Sequence, residues 1–175
     1  MDDALTGWWR ANAAALGVLV LLVPATAAAV GWNEWSSYYS GRASIPIMVQ
    51  AGESAAYGEA TIGPATAEFT EHSLAPSGTR VVSVRVRVDP GDPAIQCFEP
   101  PLRELEGLQR QWNSASYELD RSWDVERPTS CIADATTPYT LDVDYLVPLD
   151  ASGPFVVDIE SGGLLPEFAR LVVAP

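Results

Sequence analysis

Chemistry in this chain could come from its two cysteines, its single histidine and its carboxylate pairs. Cys97 and Cys131 belong to no CxxC motif, and His72 is distant from both in sequence, so metal-ligand spacing is lacking. An even cysteine count in an oxidising compartment predicts one disulfide, Cys97 to Cys131. Closing a loop of that span stabilises a fold by about 4 kcal/mol in the chain-entropy model. A serine hydrolase needs a nucleophile activated by a base. Gly52-Glu53-Ser54-Ala55-Ala56 lacks the second glycine of the nucleophile elbow, and only His72 could serve as an imidazole base. Neither a glycine-rich phosphate loop nor a dinucleotide fingerprint occurs. Asp142 with Asp144, and Glu104 with Glu106, are the closely spaced carboxylates. Acid–base work would need their acidities split. With 23 acidic against 10 basic residues such pairs are expected from composition, and Asp142 and Asp144 read as the solvated face of a strand. Asp89, Asp92 and Asp134 could hold calcium only by converging, outside any EF-hand loop. The reading is of a non-enzyme, with no catalytic, cofactor-binding or metal-binding residue assigned.

The elements that must position these side chains divide at one stretch. Ala11 to Gly31 is uncharged, with only Asn12 and Thr26 as polar side chains. As a helix at about 1.5 Å per residue it covers the roughly 30 Å hydrocarbon core of a bilayer. Trp8 and Trp9 precede it, and Trp32 and Trp35 follow it. Indole rings favour the headgroup region, so this double belt predicts a retained transmembrane helix. The competing reading is a cleaved signal peptide, for which Ala27-Ala28-Ala29 supplies the small residues. Asp2 and Asp3 beside a single Arg10 make a poor signal-peptide n-region. Arg10 predicts a cytoplasmic N-terminus. The expected organisation is a tail over 1–10, a transmembrane helix over 11–31, a connector over 32–43 and an extracytoplasmic domain over 44–175. Trp32, Trp35 and Tyr39 are spaced so that the helix can continue toward Gly41 with one aromatic face.

Composition sets further bounds. From Ser36 onward 9 arginines stand against 20 aspartates and glutamates, a net of −11. Such a surface repels phosphate backbones, so nucleic acid is not an expected partner. The apolar content of 47% is enough for one domain with a real core.

The domain reads as strands and turns. Ile45, Ile47 and Val49 alternate, with Pro46 demanding an edge or a strand start. Two weaker strands, 56–62 and 65–70, are separated by Gly63-Pro64. RVVSVRVRVD (80–89) turns Val82, Val84, Val86 and Val88 one way and Ser83, Arg85 and Arg87 the other, a buried and a wet face. LRELEGLQRQW (102–112) has helical leucine spacing, but its strand-rich setting favours a hairpin turning at Glu106-Gly107. In the polar stretch 113–130, Trp123 is expected to plug the core or the disulfide. Tyr139 to Val147, Phe155 to Ile159 and Phe168 to Val173 complete about eight strands. The fold class expected is all-β, an immunoglobulin-like antiparallel β-sandwich behind a single N-terminal transmembrane helix.

The N-terminal anchor, VVSVRVRV (81–88), the 102–112 hairpin and YTLDVDYLVPLDASGPFVVDI (139–159) together form a recognisable pattern. It resembles the telokin-like, immunoglobulin-fold extracytoplasmic domains of bacterial lipoproteins and membrane-anchored secreted proteins. This chain departs from the lipoprotein members in having no cysteine near the end of its apolar run. The resemblance carries over no catalytic residue and implies binding or assembly at the cell envelope. The expected partners are the bilayer and another envelope protein; a small-ligand or cation-binding domain is the alternative.

Overall fold

The computed structural model describes residues 2–122 and 124–175, with side chains from Gly7 onward. The chain divides into two compact units, Met1–Gly41 and Arg42–Pro175. The first is one helix, α1 (Asp2–Ser40), which takes in the expected tail and most of the connector as well as the apolar stretch. Alanine and leucine dominate it, residues with little side-chain entropy to lose in a helix. Asn12 satisfies its amide within the helix, Nδ2 donating to the Trp8 carbonyl at 2.9 Å. Pro24 lies inside α1, and the helix closes where the Gly41 N–H donates to the Ser37 carbonyl at 3.1 Å. From Gly7 to Ser40 it is long and apolar enough to cross a membrane.

The second unit holds nine strands among the described residues. They are β1 (Ile45–Val49), β2 (Ala55–Tyr57), β3 (Ala60–Thr70), β4 (Thr79–Asp89), β5 (Leu102–Glu104), β6 (Gln111–Trp112), β7 (Tyr139–Pro148), β8 (Phe155–Ile159) and β9 (Glu167–Val173). One sheet has the order β1-β9-β8-β5-β6, the other β2-β3-β4-β7. The expectation of a wholly antiparallel arrangement is corrected at one place: β1 runs parallel to β9, Ile47 opposite Ala169. Parallel neighbours need a long connection, and here nearly the whole domain supplies it. Pro46 sits on that edge strand, where its missing N–H costs no ladder bond.

One core is drawn from both sheets. Val82, Val84, Val86 and Val88 oppose Tyr145, Val143, Leu141 and Tyr139 across the β4–β7 ladder. With Ile62 they share a cluster with Leu102, Phe155, Val157, Ile159 and Leu171 of the other sheet. Each fully buried side chain of this size contributes about 1.5–3 kcal/mol.

Two local expectations change. Gly63-Pro64 does not separate two strands; it forms a bulge inside β3, where the register with β4 slips between Ile62 and Ala65. Gly63 has a φ of 103°, and a Cβ there would come within 2.4 Å of the Glu53 carbonyl oxygen, so only glycine fits the bulge. The chain reverses instead at Gly58-Glu59, between β2 and β3. The 102–112 stretch is the expected hairpin, Leu102 opposite Trp112, and its helical leucine spacing is not used.

The larger correction concerns Asp142 and Asp144, which are not a solvated face. Residues 113–130 run along the free edge of β7, where the Ala115 N–H donates to the Asp144 carbonyl at 2.8 Å and the Asp142 N–H to the Pro128 carbonyl at 2.9 Å. The same segment lays Ala115 and Leu119 against Val81 in a second small core. It therefore covers both an open strand edge and the outer face of the sheet, protecting a ten-residue strand from stray pairing. Trp123, expected to plug the core or the disulfide, lies outside the described residues.

Candidate binding cleft at the disulfide end

Antiparallel registers gather one set of loops at one end of the two sheets. Thr61 pairs with Asp89 and Val88 with Tyr139, so the 58–59 turn and the connections after β4 and before β7 meet. In the other sheet Leu102 pairs with Val157 and Ile159 with Ala169, which brings the 90–101 and 160–166 connections to the same end. Between them opens a cleft of about 690 Å³. Its floor is apolar, made by Ala60, Ile95, Leu164 and the cysteine pair, and Glu59 and Phe98 stand at its margin. The volume lies within the range of small-molecule and side-chain pockets, roughly 300–1,000 Å³.

The disulfide is the foundation of this wall. Cys97 and Cys131 are bonded, with Cα atoms 4.9 Å apart, and the Cys131 N–H also donates to the Cys97 carbonyl at 3.1 Å. Two tyrosines tie the loops beneath it. Tyr145 is buried in the core and its hydroxyl donates to the Pro100 carbonyl at 2.7 Å. The Tyr57 hydroxyl donates to the Glu167 carbonyl at 3.0 Å and accepts from the Ser161 N–H at 3.0 Å. Burial raises the Tyr57 pKa, the Ser161 hydrogen bond opposes this, and the Glu160 and Glu167 charges add to the rise. Burial likewise pushes the Tyr145 phenol far up, with Glu99 and Asp144 adding to it. Both phenols stay protonated and act as struts. Gly91, at a φ of 73°, lets the 90–95 turn lie on β3: a Cβ would meet the Glu59 carbonyl oxygen at 2.5 Å.

Phe98 is the feature that sequence reasoning passed over. It follows Cys97 directly, yet its ring is 91% exposed. The cysteine holds the backbone while the next side chain points away, and a phenylalanine between Cys97 and Pro100-Pro101 in a loop was the available signal.

The carboxylates considered for chemistry are engaged structurally. Asp142 is buried; its Oδ2 accepts from Arg127 Nε at 2.9 Å and lies 3.9 Å from Arg85 Nε. Its Oδ1 has no hydrogen-bond partner and faces Arg121 Nη1 at 3.6 Å. Asp144 takes Ser83 Oγ at 2.6 Å and Arg121 Nη1 at 3.1 Å. On the other sheet Asp158, 2% exposed, is held by both ends of the Arg170 guanidinium at 2.7 Å. Glu104 binds Arg110, whose side chain reaches on to Asp150; the Arg110 hydrogen bond holds the Glu104 carboxyl below its ordinary value. His72 is taken up in its own turn, Nδ1 accepting the Leu74 N–H at 3.3 Å and the carbonyl accepting the Ala75 N–H at 3.0 Å. Among the described residues no three His, Cys, Asp or Glu side chains gather as metal ligands, so Asp89, Asp92 and Asp134 are not brought together as one.

The residues expected at a membrane interface, Trp8, Trp9, Arg10, Trp32 and Trp35, all lie on α1. Trp8 and Trp9 meet edge to face at 5.1 Å, next to Arg10, and Trp35 stacks at 4.4 Å on Tyr39. Trp32 is exposed. From Trp9 to Trp32 the helix rises about 35 Å, close to the thickness of the hydrocarbon core plus part of the headgroup layers. No protein-family model matches this chain, and neither does any curated protein or solved structure.

Proposed function

We propose that this is a single-pass membrane protein whose extracytoplasmic, immunoglobulin-like β-sandwich binds another protein at the cell envelope, without enzymatic activity. The observation that carries the reading is α1. Its apolar side chains, Val18 to Val23 among them, are exposed all around the helix. A helix hydrophobic on every face needs a bilayer or a partner to cover it. The aromatic pairs at both ends favour the bilayer, and Arg10 favours a cytoplasmic N-terminus. A disulfide under the cleft fits an oxidising compartment.

The immunoglobulin-like part of this reading draws on strand order. The series β9-β8-β5-β6 follows the G-F-C-C′ order of an immunoglobulin sandwich, and β4 beside β7 follows B beside E. The chain differs in its disulfide, which joins two loops where antibody domains link strands B and F. The protein-binding reading rests on the engagement of the buried carboxylates in ion pairs and on an apolar cleft with an exposed phenylalanine beside it.

N-terminal sequencing and external protease treatment of membranes carrying the tagged full chain test the anchor. The expected result is an intact N-terminus and a domain digested only from outside; a new N-terminus near Val30 overturns it. In-cell crosslinking should recover one protein partner in stoichiometric yield, and its absence overturns the binding role.

A further inference from the structure

The cleft at the disulfide end differs from the rest of the domain in how its charge is handled. The stretches 58–59, 89–101, 129–138 and 160–167 carry Glu59, Asp89, Asp92, Glu99, Asp134, Glu160 and Glu167, and no arginine. Arginine ion pairs engage Asp142, Asp144, Asp158, Glu68, Glu104 and Asp150. Arg42 enters the domain at this end, where the Ser44 N–H donates to the Pro166 carbonyl at 2.9 Å, so the opening is an apolar recess ringed by loops with an excess of carboxylates. Low-dielectric walls beside like charges focus the field, and so favour a cationic visitor. The recess itself rewards an apolar one, and Phe98 offers a ring that only an incoming group would cover.

We propose that this cleft docks a basic segment of the partner protein through one aromatic or large aliphatic side chain. That side chain seats on Ile95, Leu164 and the Cys97–Cys131 bond, with Phe98 closing over it. Lysine or arginine residues flanking the anchor meet Glu59 and the other carboxylates of the surrounding loops. The inference rests on the protein-binding function proposed above and adds the place and chemistry of contact. An apolar anchor supplies affinity at the centre and a charged rim supplies orientation and association rate.

The test uses the full-length protein in its own membrane, with a p-benzoyl-phenylalanine crosslinker at position 98 or at position 108. Leu108 is 80% exposed on the 105–110 loop, at the opposite end of the sheets, and serves as the reference site. The expected result is capture from position 98 of a protein segment in which basic residues flank an aromatic or aliphatic one. Reversing the exposed rim charge with Glu59→Arg should lower that yield about tenfold, the scale of a rim-to-anchor contact, while the thermal midpoint stays unchanged. Capture from position 108 alone leaves a protein-binding function and overturns this site. A phospholipid or an acidic segment captured at position 98, or a yield unaffected by Glu59→Arg, also overturns it. Capture at neither position removes the protein-binding function itself.

Discussion

Two regions of the domain treat carboxylates in opposite ways. On the outer faces of the sheets, Asp142, Asp144 and Asp158 are desolvated and each is met by arginine. At the disulfide end, the loops carry seven carboxylates, against Arg42 on the segment that enters the domain there. The chain has 23 acidic and 10 basic residues, so it cannot pair them all. A carboxylate in water needs no partner, whereas an unpaired buried one costs several kcal/mol. The arginines accordingly collect where burial makes them necessary, and the solvated end keeps its negative charge. That end is held instead by a covalent bond, Cys97–Cys131, and by neutral tyrosine struts.

The contrast can be broken from either side. Replacing both cysteines, Cys97→Ser with Cys131→Ser, should give the largest loss, about 4 kcal/mol in the chain-entropy model, measured by urea unfolding. An unchanged midpoint would mean the cleft end needs no staple. Asp142→Ala should cost about 3 kcal/mol, the low end for a broken buried pair, because Arg85 and Arg127 are half exposed and can return to water. A neutral result in the same unfolding experiment would show that residues 113–130 hold the sheet without the arginine clamp.

A smaller effect is expected with pH. The folded-state pKa of Glu104 is depressed, chiefly by its Arg110 hydrogen bond. Its contribution is therefore complete above the unfolded carboxylate value, near pH 4, and is lost as pH falls through the lower folded value. Amide protection in the 105–110 loop, taken relative to the intrinsic exchange rate at each pH, should fall over that acidic window, and Glu104→Gln should abolish this fall. The smallest stability effect belongs to Phe98→Ala at the cleft, within about 0.5 kcal/mol, since the ring makes no buried contact to lose. A large loss in thermal melting would make Phe98 a structural residue and end the contrast.

Much of the domain was legible because its signals are local. The alternation in 80–89 and 139–147 identifies β4 and β7 and their core faces. Pro46 marks an edge, and an even pair of cysteines marks a disulfide. A period of two states which side of a strand a residue occupies, but not whether that side is covered. Asp142 and Asp144 were therefore assigned correctly to the outer face and wrongly to solvent, because the cover comes from 113–130, which has no periodic pattern. Gly63-Pro64 carries a turn signature, and only the unbroken partner strand β4 turns it into a bulge.

What the sequence alone determined is the apolar helix, most of the strands and the cysteine pair, since each follows from residue type and spacing within a short window. The parallel pairing of β1 with β9, the burial of the outer-face carboxylates and the cleft were decided only by tertiary structure. Each depends on segments distant in the chain meeting in space, β1 and β9 more than a hundred residues apart, and nothing in a local pattern records which loops will converge at one end of two sheets.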